Sequence, residues 1–548
     1  MSTSSSNQDS LLRQAPPATR PLRIGVLSYA GGLPAWMDSA LATLIQTNEI
    51  AAEDVFLLPD RRKSPRSAPP FPFRRFQDSV QPGPGELLAL SNSLLQSRRP
   101  IELQTRSGEG LAPEDRALIA ERRLDLLLCA SAPSLSGDCA KLARLGVWSM
   151  VLGEPEFTGY SPPYWREVYE ERNVSRGFLL VHSECFERGR ILESFALATT
   201  PSLRFTINQP VISKAAAAAL QRGLTRAAAR ETLPDSGEEI ELGATPARWP
   251  SSLETLNFVC RKLARSVKLR VEGRNKSTRW LVGVRPVSGR ANLWNLREGA
   301  PFVEVEAPPG HYYADPFVVE HEARHWLFVE DWIDSRNRAV LTCLELRDDG
   351  STGEPVVVLD KPYHLSYPHV FSQGGDFFMI PETFEDSTVQ LYRATRFPHD
   401  WTLETVLLPN TQCVDTTAFP YDGKWYFFTS TQAEPEEALL YTADRLGGPL
   451  KAHPANPIGT DVRGLRSAGA VVPWRNTLIR PTQDCSLGYG YAVTFNEILR
   501  LSPAEYQERQ TGKLLPDWAP GLTGTHTLNF NSKFEVVDGR RLMRKQDA

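Results

Sequence analysis

The chain has 548 residues, a formal net charge of −4 and a pI near 6.2. This length exceeds what one hydrophobic core supports, so we expect two or three domains. The slightly acidic balance argues against binding to a polyanion, and we expect no nucleic-acid partner. Seven scattered cysteines without a CxxC pair predict free thiols in a reducing compartment and no zinc site.

The sequence shows no targeting or membrane signal. No run of about 18 apolar residues is present, which predicts no transmembrane helix. The N-terminus lacks the basic-then-apolar pattern of a signal peptide, and residues 1–20 are predicted to form a disordered tail. The Pro- and Arg-rich segment 61–84 predicts a mobile loop. These features together predict a cytoplasmic multidomain protein.

Residues 21–248 have the pattern of an α/β domain. The apolar run 22–28 predicts a buried parallel strand, and a helix over 34–46 and a strand over 54–58 follow it. Segments 177–182 and 191–197 predict an antiparallel pair. An alanine-rich segment over 215–233 predicts a helix.

Three motifs in this region resemble the formyltransferase fold: Gly-Val-Trp-Ser (146–149), Gly-Tyr-Ser-Pro-Pro-Tyr-Trp (159–165) and Glu-Arg-Gly-Arg-Ile-Leu (187–192). Active members of that family carry an Asn, a His and an Asp where this chain has Ser149, Val151 and Glu187. Valine offers neither a lone pair nor a proton, so it cannot replace a catalytic imidazole. The resemblance therefore implies a degenerate formyltransferase-like domain. A sugar formyltransferase with rearranged catalytic groups is the residual alternative.

Residues 249–278 are predicted to form a helical connector. The segment 251–254, Ser-Ser-Leu-Glu, fits a capping box. Apolar residues then follow at helical spacing, at Leu256, Val259, Leu263 and Val267.

Four similar units follow between about residues 279 and 540. Each enters an apolar strand, turns at Gly, Asp or Asn, and enters a second apolar strand. If Asp315, His369, Asp415 and Ala468 are equivalent points, the steps are 54, 46 and 53 residues. A period of about 40–50 residues is typical of β-propeller blades. We predict an all-β five-bladed propeller whose last blade is completed by strands from both ends of the domain.

In a propeller the innermost strands line one channel, so Asp315, His369 and Asp415 are predicted to face one another. Glu382 follows a second strand and is placed near the rim. Paired carboxyls serve glycosyl chemistry, with one group accepting a proton and the other donating it. We therefore predict Asp315, Glu382 and Asp415 as catalytic groups. Pro316 is expected to hold Asp315 in an extended conformation.

Five further residues are predicted to bind substrate: His369, Arg466, Arg480, Asp484 and Tyr313. An arginine can hold a phosphate bidentately, although an inter-blade ion pair is an equal alternative. Tyr313 could stack on a sugar face or belong to the blade core. No metal site is predicted, because no second His or Cys lies at ligand spacing on the same strand.

Two resemblances concern the propeller. Tyr-Ala-Asp-Pro-Phe (313–317) resembles the first-blade motif of the five-bladed arabinosidase, xylosidase and invertase clans, which implies a base or nucleophile at Asp315. The ordered string His-Leu-Ser-Tyr-Pro, Pro-Glu-Thr, Val-Asp-Thr-Thr, His-Pro-Ala-Asn-Pro and Arg-Pro-Thr-Gln-Asp-Cys, within 364–485, resembles the propeller of plant glucosamine inositolphosphorylceramide transferases. In those proteins a separate glycosyltransferase domain accompanies the propeller, and we expect none here. This second resemblance covers about 280–510 and implies a glycan or glycolipid context.

The leading hypothesis is a glycosyltransferase-like enzyme with its site in the propeller funnel. Asp315 would act as base, Glu382 and Asp415 would position the sugar, and Arg466 or Arg480 would hold the phosphate of a nucleotide-sugar donor. The acceptor would be a carbohydrate or a glycolipid. A glycoside hydrolase and a non-catalytic glycan-binding propeller are the alternatives.

Overall fold

A computed structural model describes residues 20–29, 33–58, 90–91, 94, 100–104, 111–130, 139–157, 163–182, 188–202, 205–230, 237–242, 250–273, 276–287, 293–296 and 299–544. The chain divides into two compact units, one within Ala15–Lys268 and one within Leu269–Ala548. The predicted disordered tail, apart from its last residue, and the predicted loop over 61–84 lie outside the described residues.

The first unit is built on a mixed β-sheet. Its strands are β1 (Leu22–Tyr29), β2 (Leu33–Pro34), β3 (Ile50–Leu58), β4 (Leu90–Ser91), β5 (Ile101–Glu102), β6 (Leu126–Cys129), β7 (Val147–Leu152), β8 (Val174–His182), β9 (Arg188–Ala198) and β10 (Glu239–Glu241). The eight-stranded sheet has the order β10-β9-β8-β7-β6-β1-β3-β5, and β2 pairs with β4 separately. Strands β7, β6, β1, β3 and β5 are parallel, whereas β8 to β10 run antiparallel.

Within the described residues, this unit and the connection to the next contain the α-helices α1 (Ala35–Gln46), α2 (Pro113–Glu121), α3 (Trp165–Tyr169), α4 (Gln209–Arg230) and α5 (Ser252–Gly273). The predicted strand over 22–28, helix over 34–46 and antiparallel pair are confirmed. The alanine-rich helix begins earlier than predicted, at Gln209. Its small side chains let it pack closely against the sheet core, with Ala216, Leu220 and Leu224 buried.

The predicted capping box at the start of α5 is confirmed. The Ser251 hydroxyl accepts a bond from the Glu254 amide at 3.2 Å, and the Glu254 carboxylate accepts one from the Ser251 amide at 2.8 Å. Phe258 anchors the helix against Trp165, with ring centroids 4.5 Å apart. Most of the apolar residues predicted at helical spacing lie on the opposite, solvent-exposed face.

The second unit begins with β11 (Lys276–Pro286) and β12 (Val303–Glu304) and continues with four four-stranded antiparallel sheets. Blade 1 has β13 (His311–His321), β14 (Arg324–Ile333), β15 (Arg338–Leu346) and β16 (Val356–Leu359). Blade 2 has β17 (Ser366–Gln373), β18 (Asp376–Glu382), β19 (Val389–Arg396) and β20 (Asp400–Leu408). Blade 3 has β21 (Cys413–Tyr421), β22 (Lys424–Thr431), β23 (Ala438–Ala443) and β24 (Lys451–Ala452). Blade 4 has β25 (Val472–Trp474), β26 (Thr477–Asp484), β27 (Ala492–Leu501) and β28 (Tyr506–Leu514).

Blade 5 closes the ring with strands from both ends of the unit, as the sequence predicts. Its later strands are β29 (Leu522–Gly524), β30 (Leu528–Phe530) and β31 (Phe534–Arg544). Strand β11 pairs with β31 from Lys276–Arg544 to Pro286–Phe534. This closure leaves no free edge between the first and last strands of the unit.

Each pair of neighbouring blades shares an apolar core. Blades 1 and 2 meet around Phe317 and Met379, and blades 3 and 4 meet around Phe428 and Val471. Comparable cores join blades 2 and 3, blades 4 and 5, and blades 5 and 1. Five shared cores make the unit a closed five-bladed propeller, which confirms the fold predicted for this half of the chain.

No helix in the described part of the chain is long and apolar enough to cross a membrane. Cys129, Cys260, Cys343, Cys413 and Cys485 are free thiols.

Candidate functional site

Blades 1, 2 and 3 each carry a bulge at the same point of their first strand. The bulged residues are Asp315, Tyr367 and Asp415, with φ angles of +48°, +45° and +51°. A bulge breaks the strict alternation of a strand and re-aims the side chain. The prediction of an extended Asp315 is therefore wrong, because this residue takes a left-handed conformation, which Asp tolerates better than most residues.

The repeat alignment that paired His369 with the two aspartates is also wrong. Tyr367 occupies the equivalent position, and His369 lies two residues further along β17. The buried His369 ring forms a 3.1 Å hydrogen bond from Nε2 to the carbonyl of Ala418, which links blade 2 to blade 3. Burial lowers the pKa of His369 to about 4, so the ring is neutral at pH 7.

Tyr367 spans the channel and is fully buried. Its hydroxyl accepts a bond from the amide of Gly469 at 2.9 Å and lies 2.8 Å from the hydroxyl of Thr417. Gly469 has a φ of +133°, and a Cβ there would lie 2.3 Å from the carbonyl oxygen of Leu528, so only glycine fits. One phenol thus ties together blades 2, 3 and 4.

We expect Tyr367→Phe to destabilise the propeller by about 1–3 kcal/mol, because it leaves the buried amide of Gly469 without a partner. Chemical denaturation followed by circular dichroism measures this loss. Tyr421→Phe is the matched control, since Tyr421 is exposed, and it should change the free energy of unfolding by less than about 0.5 kcal/mol. Equal stability of Tyr367→Phe and the parent protein would show that the hydroxyl does not brace the channel.

Two glutamates face the channel from equivalent positions on the second strands. Glu330 pairs with Ala314 in blade 1, and Glu382 pairs with Ser366 in blade 2. The carboxyl of Asp415 and the hydroxyl of Ser366 lie within hydrogen-bonding reach of the Glu382 carboxyl, and both act to lower its pKa against the larger effect of burial. Two carboxyls can share a hydrogen bond only when one of them keeps its proton.

Burial raises the pKa of four channel carboxyls, those of Asp315, Glu330, Glu382 and Asp415. The pKa of Asp415 lies well above its usual range, because burial and the charge of Glu382 outweigh the attraction of Arg466. Burial also raises the pKa of Glu382, and the pKa values of Glu330 and Asp315 move in the same direction. The channel is therefore a place where carboxyls hold protons near neutral pH.

A second group of polar residues joins blade 5 to blade 1. Asp538 accepts the Nδ1–H of His526, and the amide of Asp315 donates to Asp538 at 3.3 Å. Asp315 accepts a 2.6 Å bond from the Thr527 hydroxyl and a 3.2 Å bond from the amide of Tyr367. Both oxygens of Asp315 are thus occupied by protein donors.

Asp315, His526 and Asp538 also place one potential ligand atom each within 4.8 Å of the others. Two carboxylates and an imidazole are suitable donors for a divalent cation. In this structure His526 donates directly to Asp538, so the pairing within the group satisfies the ring without an ion.

Arg466 lies beside the carboxyl pair. Its guanidinium is 3.7 Å from Asp415 and 3.5 Å from Glu436. Both distances exceed the 2.7–2.9 Å of a tight charge-assisted bond, so the guanidinium keeps donor capacity for a ligand. Tyr489 covers it, with the ring centroid 5.3 Å from the Arg466 carbon Cζ, and is 47% exposed. These two residues connect the buried carboxyls to solvent.

Tyr489 is held in place by its backbone. Its carbonyl accepts a bond from Arg540 at 2.6 Å, and the carbonyl of Gly490 accepts the Thr525 amide at 2.9 Å. The ring meets His526 edge to face, with centroids 5.4 Å apart. An exposed aromatic ring on an anchored turn is a pre-organised contact surface.

The structure does not bring Arg480, Asp484 or Tyr313 to this cluster. Arg480 is buried in blade 4 and forms two bonds with Glu508, at 2.9 and 2.7 Å. Asp484 is buried and pairs with Lys513. Tyr313 is buried in the core shared by blades 5 and 1.

Sequence reasoning missed four members of the site: Glu330, Tyr489, His526 and Asp538. Glu330 had a detectable signal, because its place on the second strand of blade 1 is equivalent to that of Glu382 in blade 2. His526 and Asp538 belong to the irregular blade 5, where the repeat pattern gives no register. Tyr489 lies on a turn between strands.

Residues 300–517 match the sequence model of the family described as glucosamine inositolphosphorylceramide transferase 1, N-terminal. The protein of that name from Oryza sativa subsp. japonica is 34% identical over 235 residues, covering 40% of this chain and 31% of the relative. The Arabidopsis thaliana protein is 30% identical over 257 residues, covering 42% and 33%. This chain therefore spans about a third of the length of these relatives.

Among solved structures, the family 117 glycoside hydrolase Zg3597 of Zobellia galactanivorans is 11% identical with a TM-score of 0.32, covering 47% of this chain and 90% of the hydrolase. The β-xylosidase/α-arabinofuranosidase CoXyl43 from a compost metagenome is 14% identical with a TM-score of 0.31, covering 42% and 91%. The propeller assignment rests on the strand pairing of this chain. The match over 300–517 confirms that its propeller is similar to the N-terminal part of the glucosamine inositolphosphorylceramide transferases.

Proposed function

We propose that the propeller transfers a glycosyl group to a carbohydrate or glycolipid acceptor and that its site is the channel around Glu382 and Asp415. The close approach of these two buried carboxyls carries the proposal, because it allows a held proton and a proton acceptor to lie side by side. The name of the similar proteins, glucosamine inositolphosphorylceramide transferase, supports glycosyl transfer and a lipid-linked acceptor.

The chemistry follows from the paired carboxyls. Asp415 gives its proton to the leaving oxygen as the bond from that oxygen to the sugar carbon breaks. Glu382 takes the proton of the acceptor hydroxyl as the new carbon–oxygen bond forms. Transfer of that proton from Glu382 to Asp415 restores the starting state. The surrounding carboxyls stabilise positive charge developing on the sugar ring.

Charge separates the sugar from the donor phosphate in this site. Five carboxyls, those of Asp315, Glu330, Glu382, Asp415 and Asp538, are accompanied by the cations His526 and Arg466. Glu382, which is ionised when it accepts a proton, would repel a phosphate group, whereas a sugar ring can donate its hydroxyls to the carboxyls. We therefore place the sugar inside the channel and any donor phosphate outside it, next to Arg466.

Asp315, which the sequence suggested as the base, fits a supporting role better. Its two oxygens already accept bonds from Thr527 and Tyr367, and it lies 3.7 Å from His526. We propose that Asp315, His526 and Asp538 hold the inner strands in position and keep a fixed set of charges beside the channel. Glu382 and Asp415 then transfer the protons.

The proposal is tested by incubating the full chain with a panel of UDP- and GDP-linked sugars and measuring nucleotide release with and without a lipid-linked inositol phosphate acceptor. Acceptor-dependent release supports transfer. Release of nitrophenol from nitrophenyl arabinosides or xylosides, without use of a nucleotide sugar, would instead identify a hydrolase. Sugar binding without turnover of either kind of donor would identify a binding propeller.

We expect Tyr489→Ala to raise the KM for the sugar donor about tenfold or more, because the anchored ring covers Arg466 and is the exposed aromatic face next to the carboxyls. Tyr489→Phe keeps the ring and should stay within about threefold of the parent protein. Tyr421→Ala removes a comparably exposed tyrosine from blade 3 and serves as the control. Unchanged kinetics in Tyr489→Ala would remove Tyr489 from the site.

For the first unit we propose a formyltransferase-like fold without formyl transfer. The parallel strands β3, β1, β6 and β7 support such a fold. Ser149 is buried and lies 2.7 Å from Nε2 of His182, and Val151 is buried beside it on β7. Glu187 lies outside the described residues. Formyl transfer from a formyl-folate donor by the full chain would contradict this proposal.

A further inference from the structure

Helix α5 carries a row of exposed apolar side chains. Leu253, Leu256, Leu263 and Val267 are 76%, 61%, 52% and 61% exposed, and Cys260 is also exposed. The helical spacing predicted for Leu256, Leu263 and Val267 is confirmed, and it places these three side chains on the exposed face of the helix. Scattered exposed leucines are ordinary, but five apolar residues in one row on one helix are not.

The spacing of this row is that of a coiled-coil seam. The intervals from Leu253 through Leu256, Cys260 and Leu263 to Val267 are three, four, three and four residues. At about 100° per residue these side chains fall within about 80° of the helix circumference. A strip this narrow matches an a/d seam, whereas a helix that lies on a membrane needs a broader apolar face.

The opposite face of α5 already has its partners. Phe258 packs on Trp165, and Lys262, Arg261 and Arg265 surround Glu171 at 3.1, 3.6 and 3.4 Å. These contacts hold the helix in place before any partner arrives, so little ordering cost is left for association. They also engage Arg261, Lys262 and Arg265, three basic side chains that would otherwise be available to an anionic lipid surface.

The positions that flank the seam carry no charge. They are Asn257, Val259, Ala264 and Ser266, which correspond to e and g positions of a heptad. Two copies of the helix can therefore approach without repulsion between like charges. Cys260 lies at the centre of the row, with two apolar residues on each side, so pairing of the row with itself about a two-fold axis brings the two Cys260 side chains together.

We infer that the exposed row on α5 is a self-association surface, at which a second copy of this chain pairs its own α5 against the first. The contact extends over 15 residues, or about 22 Å of helix. Two heptads are fewer than the three or four that sustain an isolated coiled coil. The dimer is accordingly expected to form at micromolar concentration. The inference does not depend on the function proposed for the propeller.

Sedimentation velocity of the full chain between 1 and 100 μM tests this inference, and we expect a monomer–dimer equilibrium. Leu256→Glu with Leu263→Glu should weaken the dimer at least 100-fold. Leu403→Glu with Val406→Glu is the matched control, since it adds the same charge at exposed apolar positions of blade 2 and should leave the equilibrium unchanged.

Cys260 provides an independent readout that does not require a destabilising substitution. Diamide, which oxidises two thiols to one disulfide, should link the parent protein into a covalent dimer, and Cys260→Ser should abolish this product. A parent protein that stays monomeric at 100 μM, or a dimer that survives the double glutamate substitution, would overturn the inference. Monomeric protein that binds phosphatidylserine vesicles through the same leucines would assign the row to a lipid surface and would equally overturn it.

Discussion

Asp415→Asn is expected to lower the rate of glycosyl transfer by about 10²–10⁴-fold while leaving the fold intact. Asparagine has the shape of a protonated aspartic acid, which is the form that the raised pKa of Asp415 favours at neutral pH. Its amide can still donate to Glu382, and its oxygen can still accept the 3.0 Å bond from Gln483. The variant loses only the proton that Asp415 gives to the leaving oxygen.

Single-turnover kinetics with the donor identified by the nucleotide-sugar panel measures this effect, and thermal denaturation checks the fold. Asp376→Asn is the control, because Asp376 is an exposed aspartate that pairs with Arg393 on the surface of blade 2. It should change neither the rate nor the midpoint of unfolding. A rate for Asp415→Asn within threefold of the parent rate would remove Asp415 from proton transfer.

His526→Ala is expected to have the largest effect on stability, a loss of about 3–5 kcal/mol. Nδ1 of His526 is the donor to Asp538, and the ring stacks on Trp280 with centroids 3.9 Å apart. Removal of the ring leaves the buried carboxylate of Asp538 without its cation and opens a space beside Trp280. Because His526 and Asp538 join blade 5 to blade 1, their loss weakens the closure of the propeller.

The effect should depend on pH in a defined direction. Burial acts to lower the pKa of His526, but the charges of Asp538 and Asp315 outweigh it and the net shift is upward. A histidine with a raised pKa stabilises the folded state fully below the unfolded value of about 6.5, and this contribution is lost as the pH rises through the folded value. The difference between the parent protein and His526→Ala should therefore be larger at pH 6 than at high pH.

His526→Asn separates the hydrogen bond from the charge. The asparagine amide can occupy the place of Nδ1 and donate to Asp538, but it carries no positive charge. Its stability should fall between those of the parent protein and the alanine variant, and its deficit should be less sensitive to pH. Denaturant titrations at pH 6 and pH 9 measure both quantities. An alanine variant that loses less than 1 kcal/mol would contradict a structural role for the pair.

The fold of the propeller could be predicted because the sequence patterns that specify its blades are local and repeated. Strand–turn–strand units recur often enough to show a period, and the two ends of the unit contain unmatched strands that pair as β11 and β31. The register within the repeat could not be predicted. A bulge adds one residue to a strand, so the residue that reaches the channel in blade 2 is Tyr367 instead of His369.

The candidate site shows the same division. Asp315, Glu382 and Asp415 could be chosen because they follow turn and strand signals in the repeated blades. Their roles depended on contacts between blades, such as the contact of Asp415 with Glu382 and the bond from Thr527 to Asp315. These partners are far apart in the sequence, and nothing in a single blade encodes them.

Arginine positions were the least predictable part of the site. A buried arginine needs a carboxylate partner, and sequence alone does not reveal whether that partner comes from the same blade or from the channel. Arg480 pairs with Glu508 of its own blade, whereas Arg466 reaches Asp415 of the neighbouring blade.

The central claim is that the Glu382–Asp415 pair holds a proton at neutral pH. Infrared spectroscopy of the protonated carboxyl band across a pH titration tests it most directly, with Asp415→Asn and Glu382→Gln compared with the parent protein. We predict that the parent protein retains this band at pH 7 and that each substitution lowers its intensity. If the band of the parent protein is already lost below pH 5 as the pH is raised, the pair does not hold a proton at neutral pH. A band at pH 7 that neither substitution changes would equally contradict the claim.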